Sequence, residues 1–371
     1  MIPLHKVFMP PDMAGLTQSV SAVLESGWIG EGPKVIELEQ ALQSALGSQH
    51  VTTVNSCTSA IHLALRLSGV GFGDEVVTTA MTCAATNEPI LIAGAKPVWA
   101  DIDPTSGNIS PQSIREKLTS KTRAIVIVHW GGYPCDIDEI MAIAKEAGVA
   151  VIEDAAHSLG STYHGSLIGS HSDFVCFSFQ AIKTITTGDG GALVCRSPEA
   201  HDRARSLRWF GIDRERRQVN QYNIADWDII EAGYKFHMND IAAVIGLSQL
   251  PHLEDLLARR RENAQCYRSA LAELERVQLL QEEQDRSSAY WLFTLLVDEQ
   301  VDFIRHLGEK GITASIVHRR NDHYTVFREY QDPNLPGLDE FSKRMVCIPV
   351  GPWVTDRDRQ HIIDVLCAEA W

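Results

Sequence analysis

Short apolar runs alternate with segments of helical periodicity along the first 195 residues of the chain. Continuous apolar runs such as Ala124–Val128 are typical of strands buried on both faces, whereas Val35–Leu46 carries its apolar residues at helical spacing. Seven segments are predicted to be strands of one sheet: Val51–Val54, Glu75–Thr79, Lys96–Asp101, Ala124–Val128, Val149–Ile152, Asp173–Phe179 and Ala192–Cys195. The alternation predicts an α/β sandwich that binds its ligand at the carboxyl ends of the strands.

The pattern changes after residue 196. Two helical segments, Met238–Leu250 and His252–Leu274, are separated by Pro251, which should break or kink a continuous helix. We therefore predict a large domain over residues 1–250, whose first residues are free to pack on the rest, and a smaller α+β domain over residues 251–371. The smaller domain is predicted to contain two strands and a final helix: Tyr290–Val297, Ile312–Val317 and the segment from Thr355.

Composition narrows the classes of function. The chain has 371 residues, of which 44% are hydrophobic and 22% charged, and a formal net charge of −15. So acidic a chain is poorly suited to general binding of nucleic acid or of anionic membranes, and we expect neither as a partner. One basic segment, Arg203–Arg217, contains six arginines. It could attract a phosphorylated substrate, but a solvated helix face is the favoured interpretation.

The cysteines indicate a reducing compartment. They occur singly, without the paired spacing of metal sites, so no metal is expected: Cys57, Cys83, Cys135, Cys176, Cys195, Cys266, Cys347 and Cys367. The first residues lack the apolar core of a signal peptide, and no apolar run is long enough to cross a membrane. The sequence therefore predicts a cytoplasmic protein.

One lysine stands between two apolar runs. The segment Phe177–Gly191 is predicted to form a strand, an exposed turn that carries Lys183, and a second strand after Gly-Asp-Gly-Gly. Such a lysine can attack a carbonyl and form an imine, which is how proteins hold pyridoxal phosphate (PLP). A solvated hairpin lysine explains this segment alone at least as well. The hydroxyl of Ser178 lies one step from the end of the first strand.

A second segment predicts a phosphate site. After the strand Val51–Val54, Asn55 and Ser56 are typical helix-start residues, so the amides of Cys57 and Thr58 lie at a helix N-terminus. Ordinary capping is an equally good explanation. The glycine-rich run Gly69–Asp74 follows a helix and lacks dinucleotide-binding spacing, which argues against a nicotinamide dehydrogenase.

A buried carboxylate completes the candidate site. Asp154 ends an apolar strand, where an ionised carboxylate requires a partner, and a protonated pyridine nitrogen is such a partner. The helix start at Cys57, Asp154 and Lys183 would then hold the phosphate, ring nitrogen and aldehyde of one flat cofactor. His157 could contact the ring, or it could cap the following loop.

Several motifs in a fixed order carry a family resemblance: SGWIGEGPKVIELE, NSCTSAIHLAL, GDEVVTTAMTCAATN, VIEDAAHSLGS, FSFQAIKTITTGDGGALV, AGYKFHMNDIAAVIG and CIPVGPWVTDRD. The sequence resembles the DegT family of PLP-dependent nucleotide-sugar aminotransferases, in the aspartate aminotransferase superfamily (fold type I). The resemblance implies a mostly parallel seven-stranded sheet between helices in a large PLP-binding domain, a smaller C-terminal domain, and a homodimer with shared active sites.

The resemblance also assigns roles to residues. Lys183 matches the lysine that binds PLP and moves protons, Asp154 the partner of the ring nitrogen, and Ser178 a phosphate contact. His157 matches a position near the ring. Three positions depart from the family pattern. Cys57-Thr58 replaces a frequent Gly-Thr, Cys83 replaces an aromatic residue that stacks on the ring, and Lys235 replaces an asparagine that reaches the partner subunit's phosphate.

The expected reaction moves an amino group from L-glutamate to a 4-keto or 3-keto sugar nucleotide. His318 and Arg319 lie in the segment expected to select the sugar nucleotide, and surface arginines are the alternative interpretation of this segment. Two other functions fit the same fold. A PLP-dependent sugar dehydratase carries histidine in place of Lys183, and a catalytically idle regulator or binding protein would not need the set Asp154, Ser178 and Lys183.

Overall fold

The computed structural model describes residues 1–213, 218–219 and 221–368. Its helices are α1 (Met13–Ser26), α2 (Pro33–Leu46), α3 (Cys57–Leu67), α4 (Ala84–Ile92), α5 (Pro111–Lys117), α6 (Ile137–Ala147), α7 (Pro198–Leu207), α8 (Asp240–Gln249), α9 (Leu253–Leu271), α10 (Gln300–Glu309), α11 (Pro336–Arg344) and α12 (Asp356–Cys367). Short 3₁₀ helices cover Trp130–Gly132, Leu250–His252, Asn321–His323 and Thr325–Tyr330.

The strands are β1 (Val51–Val54), β2 (Glu75–Thr79), β3 (Lys96–Ala100), β4 (Thr122–Val128), β5 (Ala150–Asp154), β6 (Thr162–Tyr163), β7 (Ser166–Leu167), β8 (Phe174–Ser178), β9 (Gly191–Cys195), β10 (Gln218–Val219), β11 (Ala225–Asp226), β12 (Gln278–Leu279), β13 (Arg286–Ser287), β14 (Phe293–Leu296) and β15 (Met345–Ile348).

Seven strands form the central sheet, in the order β1-β9-β8-β5-β4-β2-β3. All are parallel except β9, which is antiparallel to both of its neighbours. The seven strands predicted from the apolar runs are therefore confirmed, as is the mostly parallel α/β fold. The carboxyl ends of β1, β5 and β8 lie on the same edge of the sheet, which is where a ligand site is expected.

Helices cover both faces of this sheet because alternate side chains of its strands point to opposite sides. On β4, Ile125 and Ile127 pack into a core with Leu38 of α2 and Ile140 of α6. Val126 lies on the other side, in a core with Ala64 of α3. Burial on both faces explains why β4 reads as a continuous apolar run rather than an alternating one.

Beyond α8 the chain builds a second, smaller sheet, in the order β12-β14-β15. The short 3₁₀ helix at Pro251 separates α8 from α9, so the predicted helix break is confirmed. The division into domains 1–250 and 251–371 stays a prediction. Ile2 forms a bridge with Ile312 and is buried in the core that contains Phe293 of β14. The first residues are thereby fixed against the smaller sheet.

Two local predictions are wrong. Ile312–Val317 was expected to be a strand, but it forms only isolated bridges at Ile312 and Ser315, and Val317 has a φ of 55° that interrupts an extended chain. The turn before β9 was expected to be exposed, but its threonines Thr184–Thr187 are buried. The amide of Thr186 donates to the side chain of Gln249 (3.0 Å), so α8 covers this turn.

Candidate active site

A cavity of about 530 Å³ opens at the carboxyl ends of β1, β5 and β8. It brings together eight of the residues that the sequence predicted for a site: Cys57, Thr58, Cys83, Asp154, His157, Ser178, Lys183 and His318. Residues that the sequence analysis did not select also line it, among them His5 and Trp291. The cavity therefore combines the edge of the central sheet with the N-terminal segment and with segments beyond α9.

A second cavity, of about 760 Å³, lies beside α7 and contains none of the predicted site residues in its lining. Carboxylates dominate its charged groups, with Arg203 as the basic exception: Asp202, Asp213, Asp226, Asp228 and Glu231. The described residues contain no cluster of His, Cys, Asp and Glu side chains suited to hold a metal ion. No described helix is both long and apolar enough to cross a membrane.

Asp154 ends β5 inside the smaller cavity and is 6% exposed. Its Oδ2 accepts a hydrogen bond from the hydroxyl of Thr86 (2.7 Å), and its Oδ1 accepts one from the amide of Ala156 (3.1 Å). The Cys57 thiol lies 3.8 Å from Oδ1. In the part of the chain that the structure describes, this carboxylate has no ion-pair partner. A buried carboxylate that lacks a cation is suited to a cationic ligand group.

Lys183 lies in the segment between β8 and β9 and projects into the same cavity. Burial lowers the pKa of its ammonium to about 8, and the negative charge of Asp154 opposes this shift. About a tenth of the side chains are therefore neutral, nucleophilic amines at pH 7, far more than for a lysine with the ordinary pKa of 10.5. Its Nζ lies 3.8 Å from the centroid of the Trp291 ring.

The start of α3 forms another wall of the cavity. The Ser56 hydroxyl accepts a hydrogen bond from the amide of Ser59 (3.1 Å), which caps the helix. The amides of Cys57 and Thr58 make no hydrogen bond within the described residues. Two free amides at the N-terminus of an eleven-residue helix, in one cavity with the hydroxyl of Ser178, are suited to a phosphate.

Three imidazoles surround the lysine. Burial and the positive charge of Lys183 lower the pKa of His318 to about 4 and hold that of His157 well below its ordinary value. His5 has a pKa of about 4 for the same two reasons, with a further contribution from Arg260. Each has a buried ring nitrogen without a hydrogen-bond partner. These side chains are therefore neutral near pH 7, where they can donate and accept hydrogen bonds without adding charge.

Two predicted site residues lie outside the lining of this cavity. The Lys235 ammonium lies 5.9 Å from the Trp209 ring, and the Lys235 carbonyl accepts a hydrogen bond from Asn55 (3.5 Å), just before α3. Arg319 donates to the carbonyl of His323 (3.3 Å). The structure therefore does not bring either side chain into contact with the cavity of its own chain.

The arginine-rich segment is divided between several environments. Arg203 forms an ion pair with Glu231, and Arg208 is buried between Glu31 and Glu39. Arg205 also has an interaction partner. The remaining three arginines of the segment lie outside the described residues: Arg214, Arg216 and Arg217. Arg203 and Arg208 therefore serve intramolecular ion pairs rather than a phosphorylated ligand.

Sequence analysis missed Trp291, His5 and Thr86. Trp291 lies two positions before Phe293–Leu296, inside a segment that is predicted to be a strand. His5 reaches the cavity only because the N-terminal segment follows the smaller sheet. Thr86, in the first turn of α4, follows Thr82 by four residues, and this spacing of two hydroxyls was the available signal.

The residues of the cavity fit PLP. The unpaired carboxylate of Asp154 suits the ring nitrogen, the buried amine of Lys183 suits the aldehyde, and the free amides at the start of α3 suit the phosphate. The tight approach of β9 to this helix supports the fit. A Cβ at Gly191 would lie 2.6 Å from the amide nitrogen of Cys57, so only glycine allows the helix start to sit at this edge.

Known proteins resemble this chain over almost its whole length. The spore coat polysaccharide biosynthesis protein SpsC of Bacillus subtilis is 35% identical over 362 residues, covering 94% of this chain and 92% of SpsC. The sugar aminotransferase CalS13 from Micromonospora echinospora superposes with a TM-score of 0.95 at 40% identity, covering 100% of both chains. The PLP form of Spr1654 from Streptococcus pneumoniae superposes at 0.88 with 28% identity, covering 98% of this chain and 97% of its own.

The match to a family description agrees with these structures. Residues 12–367 match the DegT/DnrJ/EryC1/StrS aminotransferase family. This range includes the central sheet, α9 and the smaller sheet. The family is PLP-dependent, and the structural neighbours named above include a sugar aminotransferase and a PLP form. This chain belongs to the DegT/DnrJ/EryC1/StrS aminotransferase family and is a PLP-dependent sugar aminotransferase.

Proposed function

We propose that the enzyme transfers an amino group from L-glutamate to the 3-keto or 4-keto group of a hexose linked to a nucleotide. One observation carries the proposal: a half-buried lysine with a lowered pKa, an unpaired buried carboxylate and a free helix start line one cavity, and neutral imidazoles face them. The printed descriptions of SpsC and CalS13, which concern polysaccharide biosynthesis and sugar amination, support a sugar as the amino acceptor.

PLP, when bound, supplies an electron sink for the carbanion that transamination requires. In this proposal Asp154 holds the ring nitrogen, and the amides of Cys57 and Thr58 hold the phosphate together with the hydroxyl of Ser178. Lys183 binds the aldehyde. Cys83, the N-cap residue of α4, lines the same cavity and would contact the ring.

Lys183 has a second task as the proton carrier. Its pKa of about 8 means that the free side chain can accept a proton near neutral pH and return it, which a lysine with the ordinary value of 10.5 does poorly. In the first half-reaction Lys183 would take the proton from the α-carbon of glutamate. In the second half-reaction it would take a proton from the cofactor carbon that carries the amino group and deliver it to the former keto carbon of the acceptor sugar.

The imidazoles supply polar contacts without charge. His157 lies three residues after Asp154, where it would contact the cofactor ring, and His318 would contact the acceptor substrate. We assign Arg319 to the nucleotide diphosphate, since its guanidinium is exposed near the end of the segment that carries His318. Neutral imidazoles can hydrogen-bond sugar hydroxyls, and the arginine supplies the charge that a diphosphate requires.

Two alternative functions are less well supported. A PLP-dependent dehydratase of this family would carry histidine in place of the lysine, and Lys183 is present and buried in the cavity. A catalytically idle regulator has no requirement for a lysine with a lowered pKa beside an unpaired carboxylate. The absorbance spectrum of the purified protein distinguishes such a regulator from the proposed enzyme, because a regulator without cofactor is colourless.

We further propose that the enzyme is a cytoplasmic homodimer in which Lys235 contacts the cofactor phosphate of the partner subunit. The eight cysteines are free thiols, as a reducing compartment favours. Lys235 lies outside its own cavity, but an ammonium suits a phosphate dianion.

Mixed dimers test this arrangement. Lys183→Ala and Lys235→Ala homodimers should each be inactive, the second because it retains PLP weakly. Dimers formed by unfolding and reassociation of the two variants would contain one doubly altered site and one native site, so activity should return. Absence of recovery in confirmed heterodimers would place Lys235 in the site of its own chain, and a fully active Lys235→Ala enzyme would remove it from the site.

The test of the function is a substrate screen. UDP-, dTDP- and GDP-linked 3-keto and 4-keto hexoses are supplied with glutamate, and release of 2-oxoglutarate is measured together with the mass of the aminated sugar nucleotide. We expect one nucleotide series to be aminated, and Lys183→Ala to be inactive in the same assay. Amination of free sugars alone, or exclusive use of another amino donor, would contradict the proposal.

A further inference from the structure

Trp291 makes several contacts within the active site, one of which is a stack on His5 with a centroid separation of 4.7 Å. Its ring centroid lies 3.8 Å from the Lys183 ammonium. Its indole N–H donates a hydrogen bond to the carbonyl of Ile182 (3.0 Å), the residue directly before the lysine. Its ring also stacks on His157 with a centroid separation of 3.8 Å and an interplanar angle of 16°. A single side chain thus contacts the lysine, the backbone that carries it and the imidazole near the proposed ring site.

The backbone beneath Trp291 is held in an unusual conformation. Tyr290 has a φ of 46°, which is strained for a residue with a bulky side chain. The guanidinium of the buried Arg260 donates to the carbonyls of Tyr290 (3.2 Å) and Trp291 (3.4 Å), and the Ser288 hydroxyl accepts from the Tyr290 amide (2.9 Å). The surrounding hydrogen bonds therefore determine where the indole points.

We propose that Trp291 is a positioning residue for the active-site lysine: its ring face holds the Lys183 ammonium, and its N–H holds the adjoining backbone. A cation over an aromatic face is attracted by the ring quadrupole, and the attraction strengthens where water is excluded. Trp291 is 2% exposed, so the ring itself is largely shielded from water. The neutral amine is not attracted in this way, and it is released for reaction when the ammonium loses its proton.

The inference rests on the proposed role of Lys183, and one measurement separates the two. Borohydride reduction of the PLP enzyme followed by peptide mapping identifies the lysine that binds the cofactor. Label on another lysine would contradict both the proposed function and this inference. Label on Lys183 leaves the role of Trp291 to be decided by the variants below.

The test compares Trp291→Leu and Trp291→Phe with the wild type as full-length proteins stripped of cofactor. Competitive acetylation with mass spectrometry gives the pKa of Lys183, and stopped-flow absorbance gives the rate of PLP capture on its high-pH plateau. For Trp291→Leu we expect the pKa to fall by about one unit, since the charged form loses its stabilisation. The plateau rate should fall roughly tenfold, because the indole N–H no longer fixes the backbone that carries the amine.

Trp291→Phe keeps an aromatic face and loses the indole N–H. It should restore most of the pKa, because the aromatic face remains. It should lower the plateau rate about as much as Trp291→Leu, because the hydrogen bond to the Ile182 carbonyl is lost. Trp99→Leu is the matched control, since Trp99 is 1% exposed in the same core as Trp291 but does not line the cavity. It should lower the melting temperature without changing either property of Lys183.

Three results overturn the inference. One is an unchanged pKa and plateau rate in Trp291→Leu. Another is a rise in the pKa, which entry of water alone would produce. The third is an equal effect of Trp99→Leu, because it would show that general loosening of the core, and not contact with the ring, controls the lysine.

Discussion

The active-site cavity has two halves of different chemical character. The sheet half, formed by Cys57, Thr58, Asp154, Ser178 and Lys183, carries a carboxylate, an ammonium, hydroxyls and free amides at the ends of strands and at a helix start. The ring half, formed by His5, Trp291 and His318, carries aromatic rings that are neutral near pH 7. The sheet half is thus suited to charged groups, and the ring half to uncharged polar groups.

The two halves influence one another through charge. After burial, the Lys183 ammonium is the largest cause that lowers the pKa of both His5 and His318 to about 4. Burial and a cation in the sheet half together therefore keep the ring half neutral near pH 7. Under the proposed function, the ring half would not attract phosphate or carboxylate groups, which leaves them to the sheet half and to Arg319. Variants that change only one half of the cavity can test this division.

Removal of the lysine should have the largest effect. Lys183→Ala should lose the yellow absorbance of bound PLP and reduce steady-state transamination by roughly a thousandfold or more, because no other primary amine occupies its place. Lys183→Arg is the matched variant, since it keeps the positive charge but cannot form an imine. Retained turnover in Lys183→Arg would show that charge alone suffices and would contradict the nucleophile role.

Replacement of the carboxylate should have the next largest effect. Asp154→Asn loses a charge-assisted contact that strengthens in the transition state, which costs about 3 kcal/mol or a hundredfold in kcat. Glu153→Gln is the matched control. Glu153 neighbours Asp154 on β5 but is wholly buried in a pair with His129 (2.7 Å). It should lower thermal stability and leave kcat nearly unchanged, whereas equal losses in both variants would make Asp154 a structural residue.

The rate at which cofactor-free protein binds PLP should depend steeply on pH. Only the neutral amine of Lys183 attacks the aldehyde, and its pKa lies at about 8. The second-order rate of PLP capture by cofactor-free protein should therefore rise tenfold per pH unit up to about pH 8 and level off above it. His318, with a pKa of about 4, should add no inflection between pH 6 and 8. A rise that continued to pH 10 would show an unperturbed lysine.

The sheet half could be predicted from the sequence because its residues lie next to strand ends and a helix start, which short sequence patterns predict. Asp154 ends an apolar run, and Cys57 follows a helix-start pair, so each position could be read from its neighbours. The ring half had no such signal. Trp291 depends on the strained backbone at Tyr290 and on hydrogen bonds from the distant Arg260, and these appear only when the chain is folded.

The same distinction explains the local errors. Ile312–Val317 has the composition of a strand, but Val317 adopts a positive φ and the chain turns towards the cavity, where His318 lines the wall. The turn that carries Lys183 looked exposed because it is rich in glycine and threonine. Contacts with α8, which lies more than 50 residues later in the chain, bury it. Local propensity does not report such long-range contacts.

The smallest predicted effect concerns the hydroxyl of Thr86, which donates a hydrogen bond to the carboxylate of Asp154. Thr86 donates to Oδ2 of Asp154 (2.7 Å), and the hydroxyls of Thr86 and Thr82 are hydrogen-bonded to each other (2.7 Å). Thr86→Val keeps the shape of the side chain but leaves a buried carboxylate oxygen without its donor, which costs about 1 kcal/mol or more. We expect kcat to fall about fivefold and PLP to dissociate several times faster.

Thr86→Ser and Thr82→Val make this last prediction decisive. Serine keeps the donor at position 86 and should restore both the turnover and the slow release of PLP. Thr82→Val removes only the outer hydroxyl of the pair and should change both quantities less than Thr86→Val, because Asp154 keeps its direct partner. If the two valine variants were equal, the effect would come from packing at the start of α4 and not from the orientation of the carboxylate. Asp154 would then depend on the Ala156 amide and on the cofactor itself for its position.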